Sequence, residues 1–333
     1  MADLLLLGAG FSRNWGGWLA SEAFEYLLGC PEIAKSAQLR DRLWKHQTNG
    51  GFEDALDELQ AAYLRDPRNH EQQLFAFQSA VSNMFADMNN AFLELIDWEF
   101  QRQDREKLVQ AFVTRFDAIF TLNQDIFLEK HYCNSNVSLL GTRGWSGAYF
   151  PGMNRTPHPE PLFSGCLARA TWTPRAEGSF TLEPRTQPIF KLHGSSNWKS
   201  ADGKPLLVMG GAKPNEISRH PILRWYAQEF ESRLVSPGTR LMVIGYGFKD
   251  RHINDAIAKA VGSGLRMFII APAGAELAFA LSPTRANRQI IVESAEELML
   301  KQSLIGASRR PLRDIFGGDG AEFHKVMRFF TTT

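Results

Sequence analysis

The chain has 333 residues, long enough for one large α/β domain with an inserted subdomain, because single hydrophobic cores stop growing near about 250–300 residues. Apolar residues make up 44% and charged residues 22%, a composition that excludes a disordered or fibrous chain. The 37 basic and 36 acidic residues nearly cancel, so the net charge gives no general attraction to nucleic acid or to an anionic membrane.

The cysteines and the first residues of the chain bear on its cellular compartment and on metal binding. None of the three cysteines, Cys30, Cys133 and Cys166, lies in a CxxC pair, so they form neither a disulfide framework nor a four-cysteine zinc ribbon. The apolar run at residues 4–7 follows Asp3 and is too short to span a membrane, so it predicts a strand and not an export signal. We expect a cytoplasmic protein without a bound metal.

Six short apolar runs bounded by turn residues predict buried strands. They lie at residues 4–7, 118–122, 189–192, 241–244, 267–270 and 290–292. Near-continuous apolar strands separated by helical stretches indicate a parallel sheet that is covered on both faces. The sequence therefore predicts an α/β fold with a doubly wound, mostly parallel Rossmann-like sheet, built from residues 1–17 and 113–295.

Residues 18–112, between the first two strands, are far more than one crossover helix needs. Apolar residues recur there every three or four positions, the spacing of an amphipathic helix, at Leu74, Phe77, Val81, Met84, Met88, Phe92 and Leu95. A stripe of Met and Phe at this spacing is typical of a packed core, with ligand binding as the alternative. We expect a helical insertion whose remaining apolar surface is covered by neighbouring subunits.

Three further segments are less regular. Residues 139–188 are rich in Gly, Pro, Thr and Ser and show no sustained period, which predicts an irregular subdomain within the sheet domain. Residues 203–214 predict a hairpin or loop. Residues 296–333 predict a C-terminal helical tail. Its basic patch is typical of a solvated face or a subunit contact and not of a nucleic-acid site; the patch comprises Arg309, Arg310 and Arg313.

The first chemical motif is Gly8-Ala9-Gly10-Phe11-Ser12, which follows the first predicted strand and opens a helix. Glycines at this place let the backbone turn sharply and approach a pyrophosphate, whose charge is met by free N–H groups at the helix N-terminus. A tight strand-to-helix turn without a ligand is the alternative. The third glycine of the GxGxxG pattern is absent, which disfavours an ordinary NAD dehydrogenase.

The second motif is Thr121-Leu122-Asn123-Gln124-Asp125, at the end of the second predicted strand. The carboxyl ends of parallel strands line the ligand crevice, so Asn123 and Asp125 are expected in the same cleft as Gly8. An asparagine can hold a hydroxyl or a water, and an aspartate can accept a hydrogen bond from a carboxamide. Capping of the following helix by Asn123 or Asp125 is the alternative.

Two more motifs end predicted strands, KLHGS at residues 191–195 and GYGFKDRHIN at residues 245–254. His193, at a strand end and followed by glycine, is placed for general-base work near neutral pH, although a single histidine is more often structural. Gly245 and Gly247 can approach a ribose or phosphate, and Asp250 can cap the next helix. Because all four motifs stand at strand ends of one sheet, they converge on one crevice; four independent helix caps are the alternative.

These motifs resemble, in chain order, the three signature motifs of sirtuins: GAGFS at 8–12, TLNQD at 121–125 and HGS at 193–195. The longer stretches KLHGSSNW at 191–198 and GYGFKDRHIN at 245–254 are more similar to the bacterial sirtuin-like NAD hydrolases of anti-phage defence than to lysine deacylases. The resemblance covers the sheet domain, roughly half of the chain, and neither the helical insertion nor the tail.

The resemblance implies residue roles with NAD as the substrate. Asn123 would order the nicotinamide ribose or the attacking water, Asp125 would bind the nicotinamide carboxamide, and His193 would be the catalytic base. A larger set would contact the rest of the dinucleotide, with residues 245–248 bordering its adenosine half. The full binding set is Gly8, Ala9, Gly10, Phe11, Ser12, Thr121, Asp125, Gly245, Tyr246, Gly247, Phe248 and Asp250.

Two departures from the family pattern matter. Many relatives have a serine where this chain has Gly247, so a backbone N–H would have to replace the side-chain hydroxyl. The CxxC pairs that bind zinc in the deacylases are missing, and with them the module that frames an acyl-lysine tunnel.

The implied activity is cleavage of the nicotinamide–ribose bond to give nicotinamide and ADP-ribose, as a regulated NAD-depleting effector of anti-phage defence. The resemblance further implies control by a partner protein, such as a HerA-like motor ATPase, or by homo-oligomerisation. One alternative is NAD-dependent protein deacylation or ADP-ribosyl transfer. Another is a sensor that binds NAD or ADP-ribose without turnover and signals through assembly. We expect no membrane contact and no direct binding of nucleic acid.

Overall fold

The computed structural model describes residues 2–47, 51–133, 143–156, 170–210, 213–280 and 294–331. Its strands are β1 (Asp3–Leu7), β2 (Ala118–Thr121), β3 (Gly147–Tyr149), β4 (Met153–Thr156), β5 (Thr171–Pro174), β6 (Thr186–Lys191), β7 (Gly194–Lys199), β8 (Pro205–Leu207), β9 (Arg240–Ile244), β10 (Arg266–Ile270) and β11 (Leu304–Ser308).

The helices up to the second strand are α1 (Ala9–Ser12), α2 (Ala20–Gly29), α3 (Pro31–Ala34), α4 (Ala37–Lys45), α5 (Phe52–Arg65), α6 (Pro67–Glu94) and α7 (Val109–Val113). Those that follow are α8 (Phe127–His131), α9 (Lys213–Arg219), α10 (Pro221–Leu234), α11 (Arg251–Gly262), α12 (Leu277–Ala280), α13 (Ala295–Ser303), α14 (Leu312–Gly317) and α15 (Gly320–Met327). No helix in the described ranges is long and apolar enough to cross a membrane.

Within the described residues, seven strands form the main sheet in the order β11-β10-β9-β1-β2-β6-β3. Every neighbouring pair in it is parallel. The predicted doubly wound α/β fold is therefore confirmed. Five of the six predicted strands are β1, β2, β6, β9 and β10, and the sixth, at 290–292, lies outside the described residues.

Burial explains why the inner strands are almost wholly apolar. Each residue of β1, β2 and β9 is buried, so side chains on both faces of these strands pack against other elements. Phe120 of β2 stacks on Phe190 of β6, with ring centroids 4.9 Å apart, and Phe230 of α10 meets Phe120 from one face at 4.9 Å. Aromatic contacts of this kind join neighbouring strands and the helix layer above them.

The connections place a crevice at the carboxyl end of β1. From β1 the chain leads to β2 on one side, and it later returns through β9 on the other side of β1. This reversal of direction is the point where open parallel sheets bind ligands, because the loops that follow the strands part there. The motifs that follow β1, β2, β6 and β9 all lie along this edge.

The predicted helical insertion contains α2 to α6 and part of α7. The apolar stripe of α6 is buried, with Phe77, Met84, Met88 and Phe92 in the same core as the sheet. The stripe is therefore packed core, as predicted, and the cover of the remaining apolar surface by neighbouring subunits stays a prediction. Outside the stripe, Phe75 stays exposed, as do Leu64 and Ile96.

Residues 139–188 are less irregular than predicted in their described part. There β3 joins the edge of the main sheet, and β4 and β5 form a second, four-stranded sheet with β7 and β8 in the order β4-β5-β7-β8. Trp172 of β5 pairs with Trp198 of β7, and neither strand has the alternating aliphatic residues that predict a strand from sequence. Residues 205–207 form the second arm of the β7–β8 hairpin, as the prediction for 203–214 allows.

The tail differs from the prediction of helices alone, because β11 lies within it and pairs with β10 at the edge of the main sheet. The strand is short and has Gly306 at its centre, which weakens its strand signal. Gly306 is required by packing: a Cβ there would lie 2.5 Å from a ring carbon of Phe268.

We expect Gly306→Ala to lower the free energy of unfolding by roughly 1–3 kcal/mol, because the added methyl group forces the Phe268 ring out of its place. Urea unfolding followed by circular dichroism measures this change. Gly320→Ala is the matched control, since its methyl group meets no atom within 4 Å and should change stability by less than about 0.5 kcal/mol. Equal stability of both variants would contradict the packing of β11 on the sheet.

Candidate functional site

The turns after β1 and β9 fit into each other through glycines. Gly8 N donates to Ile244 O at 3.0 Å, and Gly10 N donates to Gly245 O at 2.9 Å. Gly245 has φ +66°, and a Cβ there would lie 2.3 Å from the carbonyl carbon of Gly10 and from Phe11 N. The glycines are thus required for contact between two backbones.

This contact corrects the expectation for Gly8 and Gly10. Their N–H groups are engaged by carbonyl groups of the protein, so they do not point freely at a phosphate. Phe11 is buried in the core, whereas Ala9 is exposed. The alternative of a tight strand-to-helix turn therefore accounts for two of the three residues in Gly8-Ala9-Gly10.

A side-chain hydrogen bond joins the first motif to the second. Asn123 Nδ2 donates to Ser12 Oγ at 3.0 Å, and Asn123 N donates to Thr121 Oγ1 at 3.0 Å. Ser12 and Thr121 are buried, and Asn123 is partly exposed. Thr121 supports the loop, while the amide of Asn123 sits at the boundary between the core and the crevice.

Asp125 has a structural partner. Its Oδ1 accepts from Phe127 N at 2.9 Å at the start of α8, and its side chain is buried. Asp125 thus binds the N–H of the first residue of α8 from one position before the N-cap, Ile126, which is close to the helix-capping alternative. The expected contact with a nicotinamide carboxamide would have to use the other carboxylate oxygen.

Gln124, to which the sequence analysis gave no role, ties the second motif to the third. Its Nε2 donates to Val208 O at 2.5 Å and to His193 O at 3.4 Å, and Ser196 N donates to Gln124 O at 2.8 Å. Thr121 of β2 stands opposite Lys191 of β6 in the sheet. Asn123 and His193 therefore both lie two residues beyond a paired position on adjacent parallel strands.

A buried ion pair lies beneath these loops. Lys191 Nζ is 2.7 Å from Glu129 Oε1 and donates to Ser195 Oγ at 2.7 Å, and the Lys191 and Glu129 side chains are each 1% exposed. Burial raises the pKa of Glu129, and Lys191 opposes the rise. Sequence reasoning missed Glu129, although a lysine inside an apolar strand signals that an acidic partner is needed.

His193 meets a second histidine. The side chain of His193 is buried, with the residue 2% exposed, and its Nε2 is 3.1 Å from His252 Nε2 in the first turn of α11. Asp250, two residues before His252, pairs with Lys213: Lys213 Nζ is 2.6 Å from Asp250 Oδ1 and 2.6 Å from Glu53 Oε2. The sequence motif contained His252, but nothing in its spacing indicated a contact with His193.

Burial and charge make this group electrostatically coupled. Burial and the nearby Lys213 ammonium lower the pKa of His193 to about 3, against an opposing effect of Asp250. Burial also lowers the pKa of His252, and Asp250 opposes this shift. Burial alone would raise the pKa of Asp250, but the cationic groups around it hold it below its usual value.

The same three side chains, His193, Asp250 and His252, bring potential metal ligands within 4.8 Å of one another. Lys213 already places an ammonium 2.6 Å from Asp250, where it repels a second cation. We therefore describe the group as a histidine pair next to an ion pair. Asp250 does not cap α11 through its side chain, contrary to the expectation, because its carboxylate is held by Lys213.

The turn after β9 is held by its own side chains. Tyr246 Oη accepts from Asp250 N at 3.0 Å and donates to Asn254 Oδ1 at 3.0 Å, and Asn254 Nδ2 donates to Phe248 O at 2.8 Å. Phe248 has φ 54°, a left-handed conformation that is costly for a residue with a side chain and marks functional turns. Tyr246 and Phe248 are buried, Gly245 is partly exposed, and Gly247 is exposed to solvent.

The helical insertion reaches each of these loops. Asn89 of α6 accepts from Ile126 N at 3.1 Å and donates to Ser196 Oγ at 2.9 Å, so it bonds to the loops after β2 and β6. Glu53 of α5 reaches the loop after β9 through Lys213. The insertion thus contacts the loops of the site. The apolar periodicity of the sequence could not predict this, because it does not show what the polar residues of an amphipathic helix bind.

An open cavity of about 540 Å³ lies further along the same sheet edge, after β10 and β11. Asn14 connects it to the first motif: its Nδ2 donates to Gly10 O at 2.9 Å, and its Oδ1 accepts from Leu312 N at 2.9 Å. The cavity is lined by Gly274, Ala275, Ala307, Arg309, Arg310, Pro311, Glu322 and Lys325.

No protein-family model matches this chain, and no curated protein is similar to it in sequence. The resemblance to sirtuin-like enzymes therefore depends on the motifs themselves and on where their residues lie in the fold.

We expect Lys191→Met to destabilise the protein by about 3–5 kcal/mol, because Glu129 is then left buried without its cation. Adding Glu129→Gln should restore most of this loss, since the uncompensated charge is gone. Urea unfolding of both variants measures the difference, with Lys199→Met at an exposed position as control. A double variant no more stable than Lys191→Met would contradict this account of the pair.

The lowered pKa of His193 predicts a pH dependence of stability. Because its pKa is about 3 in the folded chain and near 6.5 in the unfolded chain, the unfolded state binds the proton first as the pH falls. His193 therefore contributes stability that is present above pH 6.5 and is lost on acidification, by up to about 1.4 kcal/mol per pH unit.

Comparing the free energy of unfolding of the wild type and His193→Gln between pH 7 and pH 4.5 measures this contribution, together with the smaller change that loss of His193 causes in its coupled neighbours Asp250 and His252. The wild type should lose stability more steeply than the variant. Parallel pH curves would contradict the burial of a neutral His193.

Proposed function

We propose that this chain hydrolyses NAD⁺ at the nicotinamide–ribose bond and releases nicotinamide and ADP-ribose. The observation that carries the proposal is the link between three motifs at adjacent strand ends. Asn123 bonds to Ser12 of the first motif, and its neighbour Gln124 bonds to the backbone of His193 in the third. An amide and a hydroxyl thus meet at this crevice, and the buried imidazole of His193 belongs to the adjacent strand end.

In the proposed mechanism these groups act on the two sides of the scissile bond. The Asn123 side chain donates one N–H to Ser12, which leaves its carbonyl oxygen and its second N–H. With these two groups it orders a ribose hydroxyl or the attacking water. His193 accepts a proton from that hydroxyl or water. Nicotinamide leaves as a neutral molecule, taking the electrons of the broken C–N bond.

The cavity after β10 and β11 supports a place for the adenosine half of the substrate. It lies on the same edge of the sheet as Asn123 and His193, and Asn14 fixes its loop to α1. Arg309, Arg310 and Lys325 line it, each paired with a carboxylate, and in this proposal they turn to the negative charge of the dinucleotide. Open parallel sheets bind dinucleotides along this edge.

The closed arrangement of the site supports regulation. His193 is buried, and Asn89 and Lys213 connect the insertion to the loops around it. Substrate entry requires some of these contacts to part. We propose that a partner protein or assembly of several copies triggers this opening, and that the enzyme then depletes NAD as an effector of anti-phage defence, the role that the sirtuin-like motifs imply.

A sensor that binds NAD or ADP-ribose without turnover is the second candidate function. It is favoured by the burial of His193, whose low pKa makes it a weak base in the closed state. Tight NAD binding without product, both for the chain alone and with activating partners, distinguishes the sensor from the hydrolase.

We expect His193→Ala and Asn123→Ala each to lower nicotinamide release from NAD by at least about 100-fold, because each removes a group that acts at the reacting centre. Chromatography of the products measures release, for the chain alone and with the products of neighbouring genes. Circular dichroism checks the fold, and His324→Ala at an exposed position is the control. Full activity of both variants would show that the site lies elsewhere.

A further inference from the structure

The reaction proposed above ends with one more proton than it begins with. Water supplies an O–H bond that must break, and nicotinamide leaves neutral, so a base has to accept the proton as the new bond forms, before the proton passes to solvent. His193 is poorly suited to hold it, because the residue is 2% exposed and the Lys213 ammonium lies close by. A second acceptor next to His193 would relieve it of this charge.

His252 is placed to be that acceptor. Its Nε2 is 3.1 Å from His193 Nε2, with ring centroids 5.2 Å apart. A contact between two imidazole nitrogens at this distance needs one ring to donate its N–H and the other to accept it. His252 is only partly buried, so a charge on it is better solvated than on His193.

Burial lowers the pKa of His252, and two carboxylates near its ring offset part of that effect. The Asp250 carboxylate, from the loop before α11, and Asp255, one turn further along the helix, both act to raise its proton affinity. Lys213, from α9, acts against it, but its ammonium is itself paired with Asp250 and with Glu53 of α5. His193 faces the same groups from a more deeply buried position.

We propose that His252 is a positioning residue that orients His193 and takes up its proton during NAD cleavage; this proposal rests on the function proposed above. As the water oxygen bonds to the ribose carbon, the proton of water moves to His193 Nδ1. The proton on His193 Nε2 moves to His252 Nε2 across the hydrogen bond. The electrons of the C–N bond go to nicotinamide, and no oxidant, reductant or metal is consumed.

This relay also fixes the tautomer of His193. With its Nε2–H directed at His252, its Nδ1 carries the lone pair that a general base needs. Without His252 the ring can turn or protonate at the other nitrogen, and the base is lost even though His193 remains.

The test uses His252→Gln, which keeps a polar side chain but cannot take up a proton, and His252→Ala. At pH 7 we expect kcat for NAD cleavage to fall by about 100-fold in both, with KM changed little. Wild-type kcat should fall on acidification as His252 becomes charged, and His252→Gln should lack this limb. Added imidazole should restore part of the activity of His252→Ala, which a purely structural role would not allow.

His324→Gln is the matched histidine control and should keep wild-type kinetics, since this side chain is exposed on α15. A His252→Gln variant with wild-type kcat and pH profile would overturn the relay and leave the proposed function standing. A wild-type chain that releases no nicotinamide, alone or with its partners, would overturn the proposed function and the relay with it.

A measurement on the wild-type chain covers the case in which the variants do not fold. Nitrogen NMR of ¹⁵N-labelled histidines identifies the tautomer of each ring. The relay requires His193 to carry its proton on Nε2 at pH 7, and a proton on Nδ1 would overturn it.

Discussion

The parallel pairing of β1 with β2 on one side and β9 on the other is the constraint on which the candidate site depends. Parallel strands that lie side by side end at the same edge, so the residues that follow them meet whatever their distance in sequence. Ser12 and Asn123 are more than a hundred positions apart and share a hydrogen bond for this reason. A register shift between β1 and β2 would separate them.

The glycines of the first and fourth motifs illustrate how a binding signature and a packing requirement coincide. Gly10 and Gly245 bring two backbones together where any Cβ would collide, and this alone explains why both are glycine. Gly247 has open space around it, so packing does not require a glycine there. In the fourth motif Gly245 is required by packing, whereas Gly247 is free to face a ligand. The spacing of the glycines alone does not distinguish these two roles.

Most of the sheet was predictable because an inner parallel strand is buried on both faces and so is apolar throughout. The edge strand β11 was not predicted, since its central Gly306 serves the Phe268 ring and weakens the pattern. Four motifs were predictable as strand ends, but the partners of their side chains were not. Asp125 binds the N–H of Phe127 at the start of the following helix, whereas His193 contacts His252. Both contacts depend on tertiary geometry that residue type does not encode.

The helical insertion and the histidine pair share one charged residue, and this links access to chemistry. Lys213 holds Glu53 of α5 with the same ammonium that holds Asp250 beside His252. If α5 moves away to admit a substrate, Lys213 loses its ion pair with Glu53 and keeps only the one with Asp250, which then strengthens. Because Asp250 supports the charge that His252 takes up, opening of the site and the proton affinity of His252 cannot change independently.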